Sequence, residues 1–275
     1  MLPIIVCLII VVEIVHIYQK IYQESDVLNE SITQSNAVSE TLTLSVVIPA
    51  YNEGKNIRAA LESIITEVSK CNLADYEVII IDDGSGDSSA EILNELANQN
   101  DKVRVIIHPD NLGKGAALTT GFRQAQMEWI LFTDADLQIE MKVLPLFIEQ
   151  IGQYELLVGC RENRVDPWSR RIISKSYNLL IRKLFGVRLR DAHCPFKLFK
   201  RSFIDSIHLV SRGFFVDTEL VCLAMAHGCR IGEFRVNSCR RQSGVSSVKL
   251  SHVFETVREL LRFLHKLSTK SGNEA

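Results

Sequence analysis

The chain has 275 residues, 47% of them hydrophobic and 23% charged, enough for one large α/β domain with appendages. Its formal net charge of −2 removes any global electrostatic case for a nucleic-acid partner, so a basic surface must be local. Seven cysteines, at 7, 71, 160, 194, 222, 229 and 239, form no C-x-x-C pair, which points to reduced thiols in a cytosol-facing domain and away from a zinc site.

Residues 2–18 (LPIIVCLIIVVEIVHIY) are apolar apart from Glu13 and His16, near the lower limit of roughly 17–25 residues for a spanning helix. A cleaved signal peptide would carry a positive leading region and a small-residue cleavage site, and neither is visible. A retained signal anchor over 1–20 fits better, with a short interfacial anchor as the alternative because Glu13 is costly inside lipid. Lys20 follows the span, which places the remainder on the cytosolic side. That would be the endoplasmic reticulum membrane in a eukaryote and the inner membrane in a bacterium. Residues 21–43 are polar, rich in Ser, Asn and Glu, and read as a tether.

From Leu44 the pattern changes. Leu44–Pro49 is a β-rich run followed by Ala50-Tyr51-Asn52-Glu53-Gly54, and a helix is predicted over roughly 55–70. Tyr76–Ile81 is a second buried strand ending at Asp82-Asp83-Gly84-Ser85, with a helix over about 87–99. Val103–Ile107 is a third strand, leading through His108–Gly115 into a helix that runs to about 126. The fourth strand, 129–133, is closed by Asp134-Ala135-Asp136. Strands alternating with helices predict a mostly parallel sheet with right-handed crossovers, and continuous apolar strands predict helices on both faces.

Each polar cluster falls at the carboxyl end of a strand, so all of them converge on one rim, where open α/β sheets bind ligands. Asp134 and Asp136 are two hard oxygen ligands suited to Mg²⁺ or Mn²⁺ carrying a diphosphate. Asp82 and Asp83 are placed to accept hydrogen bonds from a base or ribose. Gly113 and Gly115 permit close backbone approach, and Lys114 brings positive charge near phosphate. Neither a P-loop nor a G-x-G-x-x-G dinucleotide site is present.

The segments VVIPAYNEGKNI (46–57), VIIIDDGSGDSS (78–89), NLGKGAALTTGF (111–122) and FTDADLQ (132–138) together resemble glycosyltransferase family 2. The likeness continues through LLVGCREN (156–163), DAHCPFKLFKR (191–201) and GFFVDTEL (213–220). It implies the GT-A fold, the nucleotide-diphospho-sugar transferase architecture: a three-layer α/β/α domain over 44–250, here with an N-terminal membrane-anchor helix. The chain looks most similar to the dolichyl-phosphate mannose synthases and glucosyltransferases. The resemblance implies that Pro49, Tyr51, Glu53 and Asp82 hold the nucleoside, and that Asp134, Asp136 and Gln138 hold the metal and donor diphosphate. It further implies that Arg161 and Lys197 meet phosphate groups. Arg241 and Lys249 resemble a late Gly-Ser-Lys loop of the family that would clamp phosphate, with Ser246-Ser247 in place of Gly-Ser. Pro195 stands where Gly is common and stiffens its loop.

The implied reaction is an inverting transfer from a nucleotide sugar to a polyprenyl phosphate such as dolichyl phosphate, feeding protein N-glycosylation or other glycan assembly. A phosphate acceptor is already an anion, whereas a saccharide hydroxyl needs a base, for which Asp217 is the preferred carboxylate and Glu219 the second. UDP-glucose is the favoured donor because a single N-terminal span resembles the glucosyltransferases, while Asp-Ala-Asp-Leu-Gln equally resembles mannose synthases using GDP-mannose. An inactive scaffold would need a damaged Asp-x-Asp, and this one is intact. Membrane lipids are expected partners. Residues 168–188 mix basic and apolar side chains, and residues 251–275 carry a basic amphipathic helix with Arg258, Arg262, Lys266 and Lys270 along one face.

Overall fold

The computed structural model describes residues 42–136, 138–162, 168–239 and 250–271. The expected anchor at 1–20, nearly all of the tether, and Arg241 and Lys249 lie outside the described residues. Among those described, no helix is long and apolar enough to cross a membrane.

The first half alternates strands and helices as its periodicity predicts: β1 (Thr43–Ala50), α1 (Ile57–Val68), β2 (Asp75–Asp82), α2 (Ser89–Gln99), β3 (Val103–Ile107), α3 (Lys114–Gln124) and β4 (Trp129–Thr133). A 3₁₀ turn (Met141–Val143) leads into α4 (Leu144–Glu149). The second half runs β5 (Leu156–Glu162), α5 (Trp168–Phe185), β6 (Phe196–Lys200), α6 (Arg201–Ser206), α7 (Val216–Ala226), β7 (Ile231–Asn237) and α8 (Leu250–Ser271).

The seven strands of the described residues join one sheet in the order β3-β2-β1-β4-β6-β5-β7. The β1–β2, β2–β3, β1–β4 and β5–β7 pairings are parallel, and β6 runs antiparallel between β4 and β5. The chain moves outward from β1 to β3 and returns to the other side of β1 with β4. This creates a switch point between β1 and β4, where ligands bind in open sheets. β4 is buried along its whole length, as a central strand covered on both faces must be. Gly121 of α3 lets that helix settle on the sheet, because a Cβ there would strike the side chains of Val47 and Ile81.

Helix α8 packs one face inward and keeps another exposed. Its apolar face joins the core through Leu260, Phe263 and Leu264, with the Phe263 ring 5.8 Å from Phe185 and 5.6 Å from Phe215. Val257 and Leu261 remain exposed beside Arg258 and Arg262.

Candidate active site

At the rim beyond β1, Tyr51 is exposed, while Asn52 takes a left-handed backbone (φ 54°). That conformation suits Asn, whose short amide bonds locally; its Oδ1 accepts from the Gly86 N–H at 2.8 Å and ties the β1 and β2 loops together. Glu53 is buried and accepts from Asn56 Nδ2 at 2.7 Å. Pro49 pairs in register with Ile81, one residue before Asp82. One Asp82 oxygen accepts from the Ser85 hydroxyl, and the other, Oδ2, is buried with no partner among the described residues.

Asp83 is fully engaged by protein. Its oxygens accept from Leu112 N (3.0 Å) and Gly113 N (2.8 Å), and Oδ1 lies 2.8 Å from His108 Nδ1. The expected nucleotide ligand is therefore also the clamp that shapes the 108–113 loop. The glycines there answer a different need from the one expected. Gly113 has φ +96°, and a Cβ on it or on Gly115 would collide with the carbonyl oxygens of Arg212 and Ser211 respectively. The N–H groups of Gly115 and Ala116 donate to the Arg212 carbonyl at 2.7 and 3.2 Å. Close backbone approach is real, but the approaching backbone is the 211–213 loop. Those two amides at the start of α3 are thus occupied.

Lys114 links carboxylates distant in sequence. Its Nζ lies 2.9 Å from Asp134 Oδ1 and 3.1 Å from Asp217 Oδ2, and 5.0 Å from the centre of the Phe132 ring. Lys197 reaches the same carboxylate at 3.8 Å, and His193 Nδ1 stands 3.8 Å from it. Burial alone would raise the Asp217 carboxyl, but Lys114, then Lys197 and His193, hold it below the usual range. Burial likewise opposes the Lys114 charge, and Asp134 and Asp217 outweigh it, raising its pKa. The Asp134 carboxyl, unlike that of Asp217, is raised, to about 6, because burial and the charges of Asp136 and Asp217 exceed the pull of Lys114. Asp217 lies in the first turn of α7, where Oδ2 meets Lys114 and Oδ1 has no hydrogen-bond partner among the described residues.

The turn before β6 completes the cluster. Arg161 grips Asp191 with a fork at 2.7 and 3.0 Å and reaches the His193 carbonyl at 3.3 Å. Lys197 has no exposure, and its ammonium donates to the Cys194 carbonyl. Both cations expected to meet phosphate thus support the Asp191–Cys194 turn. Two further carboxylates shape the neighbouring loop. Glu219 accepts from Val210 N and Ser211 N at 2.7 and 2.9 Å, and Glu259 of α8 accepts from Arg212 N and Gly213 N at 2.8 Å each. Glu219 is therefore structural, and Glu259, His193 and Asp191 are site residues that patterning did not single out. The only sequence signal of Asp191 and His193 was a place inside a matched segment, and that of Glu259 was a place on the C-terminal amphipathic helix.

No group of three His, Cys, Asp or Glu side chains that would cage a metal occurs among the described residues. The donor set nevertheless fits a hard dication that keeps waters and takes phosphate oxygens. Asp134 is partly exposed and is destabilised by the like charge of Asp136, a repulsion such an ion relieves. Asp136 Oδ1 accepts from the Gln138 backbone N–H at 3.1 Å, which folds the turn back on itself.

Comparison with known proteins agrees with this architecture. The profile of Glycosyl transferase family 2 matches residues 45–207. Glycosyltransferase AglD of Haloferax volcanii is 33% identical over 210 residues, covering 73% of this chain and 34% of that protein. The undecaprenyl-phosphate 4-deoxy-4-formamido-L-arabinose transferase of Proteus mirabilis is 33% identical over 223 residues, covering 80% and 67%. Its counterpart in Aeromonas hydrophila is 31% identical over 220 residues, covering 79% and 66%. The chain thus spans from a third to two thirds of the length of these relatives. A glucosyl-3-phosphoglycerate synthase from Mycobacterium tuberculosis, solved with Mn²⁺, UDP and glucosyl-3-phosphoglycerate, shares the fold with a TM-score of 0.66 at 18% identity, over 86% of this chain and 88% of that one. The chain belongs to glycosyltransferase family 2.

Proposed function

We propose that this protein is an inverting glycosyltransferase that moves a sugar from a nucleotide sugar to a polyprenyl phosphate at the cytosolic face of a membrane. The observation that carries the reading is the state of Asp217. It is 1% exposed and surrounded by Lys114, Lys197 and His193. A carboxylate so held is a poor proton acceptor, which favours an acceptor that arrives already ionised. The names of the undecaprenyl-phosphate transferases support the same acceptor class.

Each part of the site has a place in that reaction. Asp82, with its unpartnered buried oxygen, and Pro49, Tyr51 and Glu53 face the nucleoside. Asp134, Asp136 and Gln138 hold Mg²⁺ or Mn²⁺, which neutralises charge developing on the departing diphosphate. Lys114 lies between donor and acceptor halves and stabilises the leaving group electrostatically. Exposed Leu179, Val257 and Leu261 stand on α5 and α8, helices that also expose Lys175, Lys183, Arg258 and Arg262. That mixture suits an anionic bilayer surface and so a lipid-borne acceptor. UDP-glucose remains the favoured donor.

The test offers labelled UDP-glucose and then GDP-mannose, with Mn²⁺ or Mg²⁺, to purified protein in detergent containing dolichyl phosphate. Label from UDP-glucose in the organic phase, lost in Asp136→Asn and on chelation, is the expected result. Label from GDP-mannose alone would replace the donor and keep the chemistry. Donor hydrolysis without lipid label would move the acceptor to a hydroxyl.

A further inference from the structure

The groups around Asp217 differ in how far they reach the surface. Lys197 and Asp217 are 0% and 1% exposed and Lys114 is 11% exposed, whereas the His193 side chain is 32% exposed. Its Nδ1 is nonetheless sealed inside without a hydrogen-bond partner among the described residues, so the exposure belongs to the rest of the side chain. Nδ1 faces Asp217 Oδ2 at 3.8 Å, which leaves Nε2 as the ring nitrogen able to meet a ligand.

The ring is held without being satisfied. Arg161 fixes the His193 carbonyl, and the Tyr177 ring meets the imidazole edge-on at 5.8 Å. The Tyr177 hydroxyl pairs at 2.9 Å with Thr218 Oγ1, beside Asp217. Three elements therefore place an imidazole that makes no hydrogen bond of its own among the described residues. Burial lowers its pKa to about 4, with Lys114, Arg161 and Lys197 adding to the shift and Asp217 opposing it, so the ring is neutral at pH 7. His193 and Lys114 meet the same Asp217 oxygen, Oδ2, at 3.8 and 3.1 Å, so the ring lies beside the ammonium that also holds Asp134.

We infer that His193 is an acceptor-binding residue that receives the phosphate head of the acceptor through the hydrogen-bonding capacity its ring leaves unused. This rests on the reading of the acceptor as a phosphate monoester. With the proton on Nε2 the ring donates to a phosphate oxygen; with the proton on Nδ1, facing Asp217, Nε2 accepts from the hydroxyl of a singly ionised phosphate. Either tautomer presents a partner to the head group without adding a cation beside Lys197 and Lys114.

The experiment measures KM for dolichyl phosphate, KM for the nucleotide sugar, lipid-free donor hydrolysis and the thermal midpoint in the wild type, His193→Ala and His193→Gln. The expected result for His193→Ala is an acceptor KM raised about tenfold or more, the loss of one hydrogen bond to a charged group. The acceptor KM rises by a larger factor than the donor KM, and His193→Gln recovers most of the acceptor affinity. An unchanged acceptor KM in a wild-type background that does label lipid overturns this inference alone. A parallel fall in donor and acceptor affinity together with the thermal midpoint also overturns it, since that is the mark of a structural role. A wild-type chain that labels no lipid phosphate overturns the acceptor reading and this inference with it.

Discussion

Asp217 concentrates the electrostatics of the site in one side chain. It neutralises Lys114 and faces Lys197, which is itself wholly buried. Asp217→Asn keeps the shape and leaves that ammonium without a charge partner, so folding stability should fall by about 3–5 kcal/mol. Urea denaturation measures this, and Lys197→Met in the same background should restore part of it. Because the folded carboxyl is held below its ordinary value, the stability it contributes is present above the usual carboxylate range and disappears as pH drops beneath it. His193 has the same sign for a different reason. Its folded pKa of about 4 lies below the ordinary 6.5, so the unfolded state binds the proton more tightly and stability declines as pH falls from about 6.5 toward 4. Urea midpoints across that range should slope less in His193→Gln than in the wild type. At this scale the sequence was informative about residue type and silent about pairing. Arg161 and Lys197 stood out as cations, but a fork onto Asp191 and an ammonium under the Cys194 carbonyl depend on chain segments meeting in space.

Helix α3 and helix α8 meet the same loop from opposite roles. The start of α3 lies so near residues 211–213 that two of its amides bond the Arg212 carbonyl. Gly115→Ala should therefore cost about 1–3 kcal/mol through forced displacement of that backbone, and it should reduce transfer by moving Lys114. A thermal unfolding curve and a transfer assay read the two effects separately. From the other side, the Glu259 carboxylate accepts from the amides of Arg212 and Gly213. Glu259→Ala should destabilise by about 3 kcal/mol, with faster hydrogen exchange at those two amides, because bonds to a charged acceptor are lost. The periodic elements were legible: β3 and β4 fall at 103–107 and 129–133 as the apolar runs predict. The 250–271 helix was legible as an amphipath, but its apolar stripe serves the core through Leu260, Phe263 and Leu264. An apolar stripe states that something covers it, and periodicity does not say whether that is lipid or protein.

The whole molecule presents a rim at the β1–β4 switch point and, on α5 and α8, exposed apolar and basic side chains. If that surface meets an anionic bilayer, replacing Lys183, Arg258 and Arg262 with Gln should weaken vesicle binding by about 3 kcal/mol at low salt, at roughly 1 kcal/mol per basic residue. Co-sedimentation with phosphatidylserine vesicles measures this, and donor hydrolysis in detergent should be unchanged. The linear chain carried the family, the alternation of strand and helix, and the convergence of strand-end carboxylates on one rim. All three follow from side-chain periodicity and from the rule that parallel strands present their carboxyl ends together. Folding alone brought Asp134 and Asp217 to one ammonium, inserted β6 antiparallel between β4 and β5, and turned Asp83, Glu219 and Glu259 into clamps on loops. Those roles are relations between side chains and backbone far apart in sequence. Buried charges and amides find partners only when the packed interior excludes water, so a one-dimensional pattern does not encode them residue by residue.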